Sequence, residues 1–339
     1  MTAAPARAQR MLALCADDFG LAPGISQAIA ALARAHRLSA LSCITNSANW
    51  AGAAPLLHGL PASVGVGLHI NLSEGLPLSA SLAKVWPRLP GLGELLARSH
   101  MGLLPMGPLR DEVRAQLDAF RAATGADPVH LDGHQHVHQF PGLRSLILQL
   151  AGGMARAPAL RCCARTPGVG FGLKRWLIRH TGAQALRREL LGGGLAHNPV
   201  LLGVYDFRAP DYRRLFRGWL DATPDHGALL FCHPGQALAG EPHDAIAQAR
   251  QRELDYLQSD ALMKDLAQAG VRLGPVWQTA AGHWSAKGPA PVERESQQQH
   301  QDGGDGLRRE VVQPQPHADG DHAHADDGPE QRGRLKTRP

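Results

Sequence analysis

No apolar run in this sequence reaches ~18 residues, so no segment spans a bilayer as a helix. Cysteine is sparse as well. Five are present (Cys15, Cys43, Cys162, Cys163 and Cys232), none in a CxxC pair, and adjacent Cys162-Cys163 is a poor disulfide pair. That excludes a disulfide framework and fits a reducing compartment. A large excess of one charge is also missing: 35 Lys and Arg against 30 Asp and Glu leave +5. Such a balance permits an anionic partner without demanding one, and no nucleic-acid partner is inferred. Aromatic residues stand at a low 5%. Met1–Arg10 is polar and leads into an apolar run of about five residues, too short for a signal-peptide core. The expectation is a soluble cytoplasmic protein; its oligomeric state is not fixed, and a homo-oligomer stays open.

With 339 residues and 44% hydrophobic content, the chain has enough material for one large core. Single α/β barrels commonly reach ~250 residues. Four short apolar runs end in metal-ligand or acid–base residues. Met11–Ala16 leads into Asp17-Asp18-Phe19-Gly20, and Val64–Leu68 into His69-Ile70-Asn71. Pro128–Leu131 leads into Asp132-Gly133-His134-Gln135-His136-Val137-His138, and Ala228–Phe231 into Cys232-His233-Pro234-Gly235. Such runs, bounded by Gly or Pro, read as buried parallel strands, whose carboxyl ends are where sites are built. Leu41–Thr45, Leu201–Tyr205 and Val271–Val276 read as further strands.

Helical periodicity falls over Pro23–His36, Leu109–Thr124 (stopped by Gly125), Phe171–Leu191, Tyr212–Ala222 and Ala245–Gly270. Within the last of these, Ser259 serves as an N-cap for a second helix. Lys84–Pro108 reads as a long Leu/Pro/Gly-rich connection of the kind that forms lids or binding elements. Strand–helix alternation predicts an α/β fold, a distorted (β/α) barrel in a single domain. Its span is residues 11–284, with 1–10 a flexible N-terminus and 285–339 a disordered polar tail.

Adjacent carboxylates at a strand end, Asp17-Asp18, repel unless a cation lies beside them. A divalent metal resolves this by taking one as a ligand and leaving the other to act as general base. A helix N-cap is the structural alternative. Read alone, His69 is as well explained as a hydrogen-bonded structural group, although Gly65 and Gly67 beside it imply close backbone packing. If the extended conformation persists, His130, Asp132, His134, His136 and His138 share one face. Burying so many imidazoles with a carboxylate is costly unless that face is wet or binds metal. Imidazole with carboxylate suits Zn, Fe, Ni or Mn, and also Mg. His233, where Pro234 and Gly235 break a strand, is either a general acid or part of a turn. The basic stretch containing Lys174, Arg175, Arg179, Arg187 and Arg188 reads as a solvated helix face. Its sharper reading is attraction to anionic headgroups or to a phosphate-bearing substrate.

Taken together, Ala-Asp-Asp-Phe-Gly (16–20), Gly-Leu-His-Ile-Asn-Leu-Ser-Glu-Gly (67–75), His-Leu-Asp-Gly-His-Gln-His-Val-His (130–138) and Cys-His-Pro-Gly (232–235) resemble the YdjC-like carbohydrate deacetylases. These include chitooligosaccharide deacetylases and hopanoid-biosynthesis-associated deacetylases. The resemblance covers about residues 11 to 280. It implies a distorted (β/α) barrel, a divalent metal (usually Mg2+, with Zn2+ or another transition metal as alternatives) and an N-acetylated amino-sugar substrate, oligosaccharide or lipid-linked. It further implies Asp18, His69 and His134 as metal ligands, Asp17 as general base and His233 as general acid. Asp132, His136 and His138 would contact substrate or support the ligands. Gly133 and Gln135 stand where chitooligosaccharide-type members often carry Ser and His, which weakens the case for that substrate. The rival readings are a phosphoesterase-like metal hydrolase, disfavoured because the site motifs are poor in Arg and Lys, and a non-catalytic metal-dependent sugar-binding protein.

Overall fold

In the computed structural model, the described residues are 10–168, 170–241, 243–279 and 282–283. The polar tail at 285–339, and all but residue 10 of the N-terminal segment, lie outside them. The strands are β1 (Arg10–Phe19), β2 (Ala40–Cys43), β3 (Gly65–Ile70), β4 (His130–Gly133), β5 (Ala159–Leu160), β6 (Leu201–Leu202), β7 (Ala228–Cys232) and β8 (Val271–Leu273). They form one parallel sheet in the order β5-β4-β3-β2-β1-β7-β6, with β8 paired to the start of β1. The edge strands β5 and β6 share no ladder; the isolated parallel bridge Leu160–His197 ties β5 to the segment that precedes β6. The result is a distorted, incompletely closed (β/α) barrel.

Every residue of β1 from Leu12 to Phe19 is buried. It is also interior to the sheet: Leu12 pairs with Ala228 of β7 and with Leu273 of β8. A strand covered on both faces reads as a continuous apolar run, and this is the pattern of residues 11–16. Helices Pro23–Arg34, Met106–Thr124, Tyr212–Asp221, Ala247–Gln258 and Asp260–Ala269 follow the expected periodicity. Gly125 closes the second of these in the left-handed conformation (φ 68°), and the Ser259 hydroxyl accepts the Ala261 N–H at the start of the last.

Three expectations are corrected. The Lys84–Pro108 connection carries the ends of helices Ala80–Val85 and Met106–Thr124 and all of Leu92–His100. Ser79 caps the first by accepting the Leu82 N–H, and burial of Leu82, Leu89 and Leu95 anchors the segment. The basic stretch is not one helix but Gly172–Ile178 and Gln184–Gly192, separated by a π-turn at which Gly182 takes φ 121°. There a side chain is excluded, because a Cβ would meet the Gln139 carbonyl. Finally, β6 stops at Leu202, since Gly203 adopts φ 103°.

Gly67 of β3 bears out the close packing expected around His69. A Cβ at this position would fall 2.3 Å from Nε2 of His130. Gly67→Ala should therefore cost about 1–3 kcal/mol through overpacking, measurable as a lower denaturation midpoint. Gly65→Ala, whose Cβ would meet Val129 at an ordinary 3.5 Å, should cost less; equal losses would contradict this packing account.

Candidate functional site

Successive strand residues normally face opposite sides of a sheet, yet Asp17 and Asp18 both line one cleft. A bulge makes this geometry: the β1–β2 register shifts between Ala16 and Phe19, and Asp18 takes φ 70°. Bulges re-aim side chains in this way, and Asp is among the residues that tolerate the left-handed region. The cleft has a volume of about 690 Å³. His69, His134, His136 and His233 also line it, whereas much of the remaining wall is apolar, including Ile25, Leu92, Leu96, Phe140 and Leu177.

The Asp18 carboxylate accepts from His134 Nδ1 (2.9 Å) and from Arg250 (2.8 Å), with His69 Nε2 at 3.6 Å. Burial pushes the Asp18 carboxyl up, but Arg250 and His134 outweigh it and hold the group well below the usual carboxylate range. Burial likewise opposes charge on His134, yet Asp18 and Glu74 push it up to about 10; Glu74 lies 3.0 Å from its Nε2. His69 Nδ1 donates to Asp132 (2.7 Å), which leaves Nε2 directed toward Asp18. This is the carboxylate–imidazole support that fixes the tautomer of a metal-binding histidine.

One ligand atom each from Asp18, His69 and His134 lies within 4.8 Å of the other two. One carboxylate and two imidazoles so grouped are a donor set suited to a divalent cation. Asp132 also falls in two other candidate groups, with Cys15 and His130 and with Asp17 and His69. Its oxygens, however, are already engaged by His69, Ser42 (2.8 Å) and Arg161 (2.5 Å). Burial opposes ionisation of Asp132, but Arg161 and His69 hold its carboxyl well below the usual range.

Asp17 is gripped at both oxygens by the Arg161 guanidinium, each contact 2.6 Å. Arg161 is fully buried and follows β5. His138 Nε2 donates to the Arg161 carbonyl (2.9 Å), so His138 secures that backbone and does not reach the cleft. His130 lies deeper, at 2.8 Å from Ser42 Oγ and against the Trp277 ring; burial pushes its imidazole down to about 4.

The alternation expected over 130–138 ends at Gly133. Residues 134–139 coil into a short helical turn in which Gln135 (φ 54°) and His136 (φ 61°) are left-handed. This turn points His134 at Asp18 and His136 into the cleft against Phe231, while sending His138 toward Arg161. Gly133 belongs to the same packing, since a Cβ there would lie 2.8 Å from the His138 nitrogen.

His233 sits between Phe207 and Phe231, and burial pushes its imidazole down to about 4. Its backbone N–H donates to Glu253 (2.6 Å), and the Tyr205 hydroxyl donates to the other Glu253 oxygen. The Nδ1 atoms of His136 and His233 are buried without a hydrogen-bond partner among the described residues. Groups missing from the sequence reading are thus Arg161, Arg250, Glu253 and Ser42. Arg161 and Arg250 lie outside the four motifs, which are themselves free of Arg and Lys, and both are engaged with carboxylates.

Glu253 permits a direct test of its surroundings. Burial raises its carboxyl to about 7, so the folded protein holds this proton more tightly than the unfolded chain. Stability should be fullest below pH ~4.5 for this group and decline as pH rises to about 7, by about 3 kcal/mol in all. Glu253→Gln should remove that decline, giving a variant that gains on wild type across this window in denaturant titrations; parallel curves would contradict it.

The fold and site together define an incompletely closed (β/α)-barrel protein with a carboxylate–imidazole centre at the carboxyl ends of its strands. Residues 11–268 match the family described as YdjC-like protein, and the chain belongs to that family. It is 28% identical over 272 residues to a chitooligosaccharide deacetylase of Enterobacter sp. (strain 638), covering 78% of this chain and 97% of the relative. It is 35% identical over 300 residues to the human carbohydrate deacetylase, covering 79% and 90%. A solved structure from Enterococcus faecalis V583, named for cellobiose-phosphate cleavage, shares the fold (TM-score 0.61, 18% identity, 79% and 97% covered).

Proposed function

We propose that the protein is a hydrolase that removes the acetyl group from an N-acetylated amino sugar with the help of a divalent metal. The observation that carries this reading is the clustering of Asp18, His69 and His134 beside a second carboxylate, Asp17, held by Arg161. The names of its relatives point the same way. Asp18, His69 and His134 would hold the cation; Mg2+ follows from the family resemblance, and Zn2+ suits the imidazoles. A bound cation would polarise the acetyl carbonyl and acidify a water beside it.

The protein's own groups supply the proton chemistry. Arg161 fixes both Asp17 oxygens toward one direction, and Asp17 takes the proton of the attacking water. His233, between Phe207 and Phe231, passes a proton to the departing amine. Burial keeps its ring neutral near pH 7, so it relays the proton released at Asp17 rather than storing one. Acetate and a free amino sugar result. Asp132 holds His69 in the required tautomer, and His136 offers its unpartnered Nδ1 to the sugar. His138 supports Arg161.

Ligand removal tests the metal assignment independently of turnover. His69→Ala combined with His134→Ala should abolish binding of one equivalent of metal, read by elemental analysis after gel filtration. Undiminished metal content would refute the assignment.

A further inference from the structure

The helix Gly172–Ile178 buries none of its residues. Leu173, Trp176 and Leu177, at i, i+3 and i+4, lie together on its surface and are 73%, 52% and 48% exposed. The sequence around them has a charge asymmetry. From Gly133 to Arg188 the sequence contains no Asp or Glu but nine Arg and Lys. Arg161 is engaged inside the site and Arg144 with Glu189. Arg165, Arg175, Arg179, Arg187 and Arg188 have no carboxylate partner among the described residues.

We propose that this face, built on Leu173, Trp176 and Leu177 and flanked in the sequence by these arginines, docks the protein onto the surface of an anionic lipid bilayer. Leucine and tryptophan beside unpaired cations suit the boundary between headgroups and acyl chains. No described helix is long and apolar enough to cross the membrane, so the contact is interfacial. A second copy is a poorer occupant, because it would bring two acid-free cationic segments face to face. Leu177 also lines the cleft, so the docking face adjoins the entrance to the site. Vesicle binding is read without turnover and stands apart from the deacetylase reading.

The test is co-sedimentation of the full chain with phosphatidylglycerol/phosphatidylcholine vesicles and with phosphatidylcholine alone, at low and high salt. Binding should favour the anionic vesicles at least ~tenfold and weaken at high salt. Arg179→Gln and Arg188→Gln should each weaken it about fivefold (~1 kcal/mol), and Leu173→Glu/Trp176→Glu should abolish it without changing the circular dichroism spectrum. Brominated lipids should quench tryptophan emission in wild type, with the quenching lost in Trp176→Phe. Equal binding to both vesicles, no binding, or binding that survives the double substitution would each overturn the proposal. So would quenching that persists in Trp176→Phe, or vesicle-independent self-association abolished by the double substitution.

Discussion

Asp17→Asn is expected to lower turnover by ~10²–10⁴-fold while metal content stays at one equivalent. Asparagine keeps the size of the side chain and one oxygen to accept from Arg161, but has no basic carboxylate with which to take a proton from water. The fold should survive, because Asp132 still faces the guanidinium at 2.5 Å and Arg161 is not left without a counter-charge. The loss should appear in kcat more than in KM, since the proton transfer belongs to the transition state rather than to substrate binding. A sugar-binding protein would show no such split: Asp17→Asn would leave its ligand affinity in place and there would be no turnover to lose. If Asp17→Asn retained full turnover, the base would lie elsewhere.

Arg161→Met should produce the largest loss of stability. Arg161 is fully buried and lies between two buried carboxylates, Asp17 and Asp132. Removing one member of a buried ion cluster leaves the others uncompensated, at a cost of about 3–5 kcal/mol, or a Tm lower by on the order of 10 °C. The pH dependence has a definite sign. The Asp132 carboxyl is held well below its usual range by burial-opposing interactions with Arg161 and His69. Its contribution is therefore complete above the unfolded carboxylate pKa of ~4 and is lost as pH falls below it. The gap between wild type and Arg161→Met should be wide at pH 7 and narrow as the solution is acidified below ~4. A gap that does not change over that range would show that Arg161 acts through packing alone.

These two arginines also bear on the phosphoesterase alternative. Arg161 closes on Asp17 and Asp132, and Arg250 bridges Asp18 and Asp244. A guanidinium already paired with carboxylates is a poor phosphate clamp, so their presence organises the acidic residues rather than recruiting an anionic substrate.

The barrel was legible because β1, β3, β4 and β7 are apolar runs ending in polar motifs, and each motif lies at the end or just beyond its strand. The same strand ends marked Asp17, Asp18, His69 and His134 as candidates, and the family resemblance singled out Asp18, His69 and His134 among them. Arg161 was not, since β5 has two residues and one arginine in an Arg-rich chain gives no local signal. Arg250 sits on a helix far along the chain and meets Asp18 only through tertiary packing. The different destinations of His134, His136 and His138 were hidden as well, because they depend on positive φ at Gln135 and His136, residues whose types do not announce a turn. Local pattern thus located the strand ends, and non-local packing decided which side chains meet there.

The most direct test of the central claim is acetate release by metal-stripped protein with Mg2+, Zn2+, Mn2+, Co2+ or Ni2+ restored singly. Chitobiose, N-acetylglucosamine and a lipid-linked N-acetylglucosamine would be offered, with Asp17→Asn alongside. The account predicts release from at least one substrate that requires added metal and collapses in Asp17→Asn. Release that is indifferent to metal, or no release from any substrate by protein shown to carry one equivalent of metal, would contradict it.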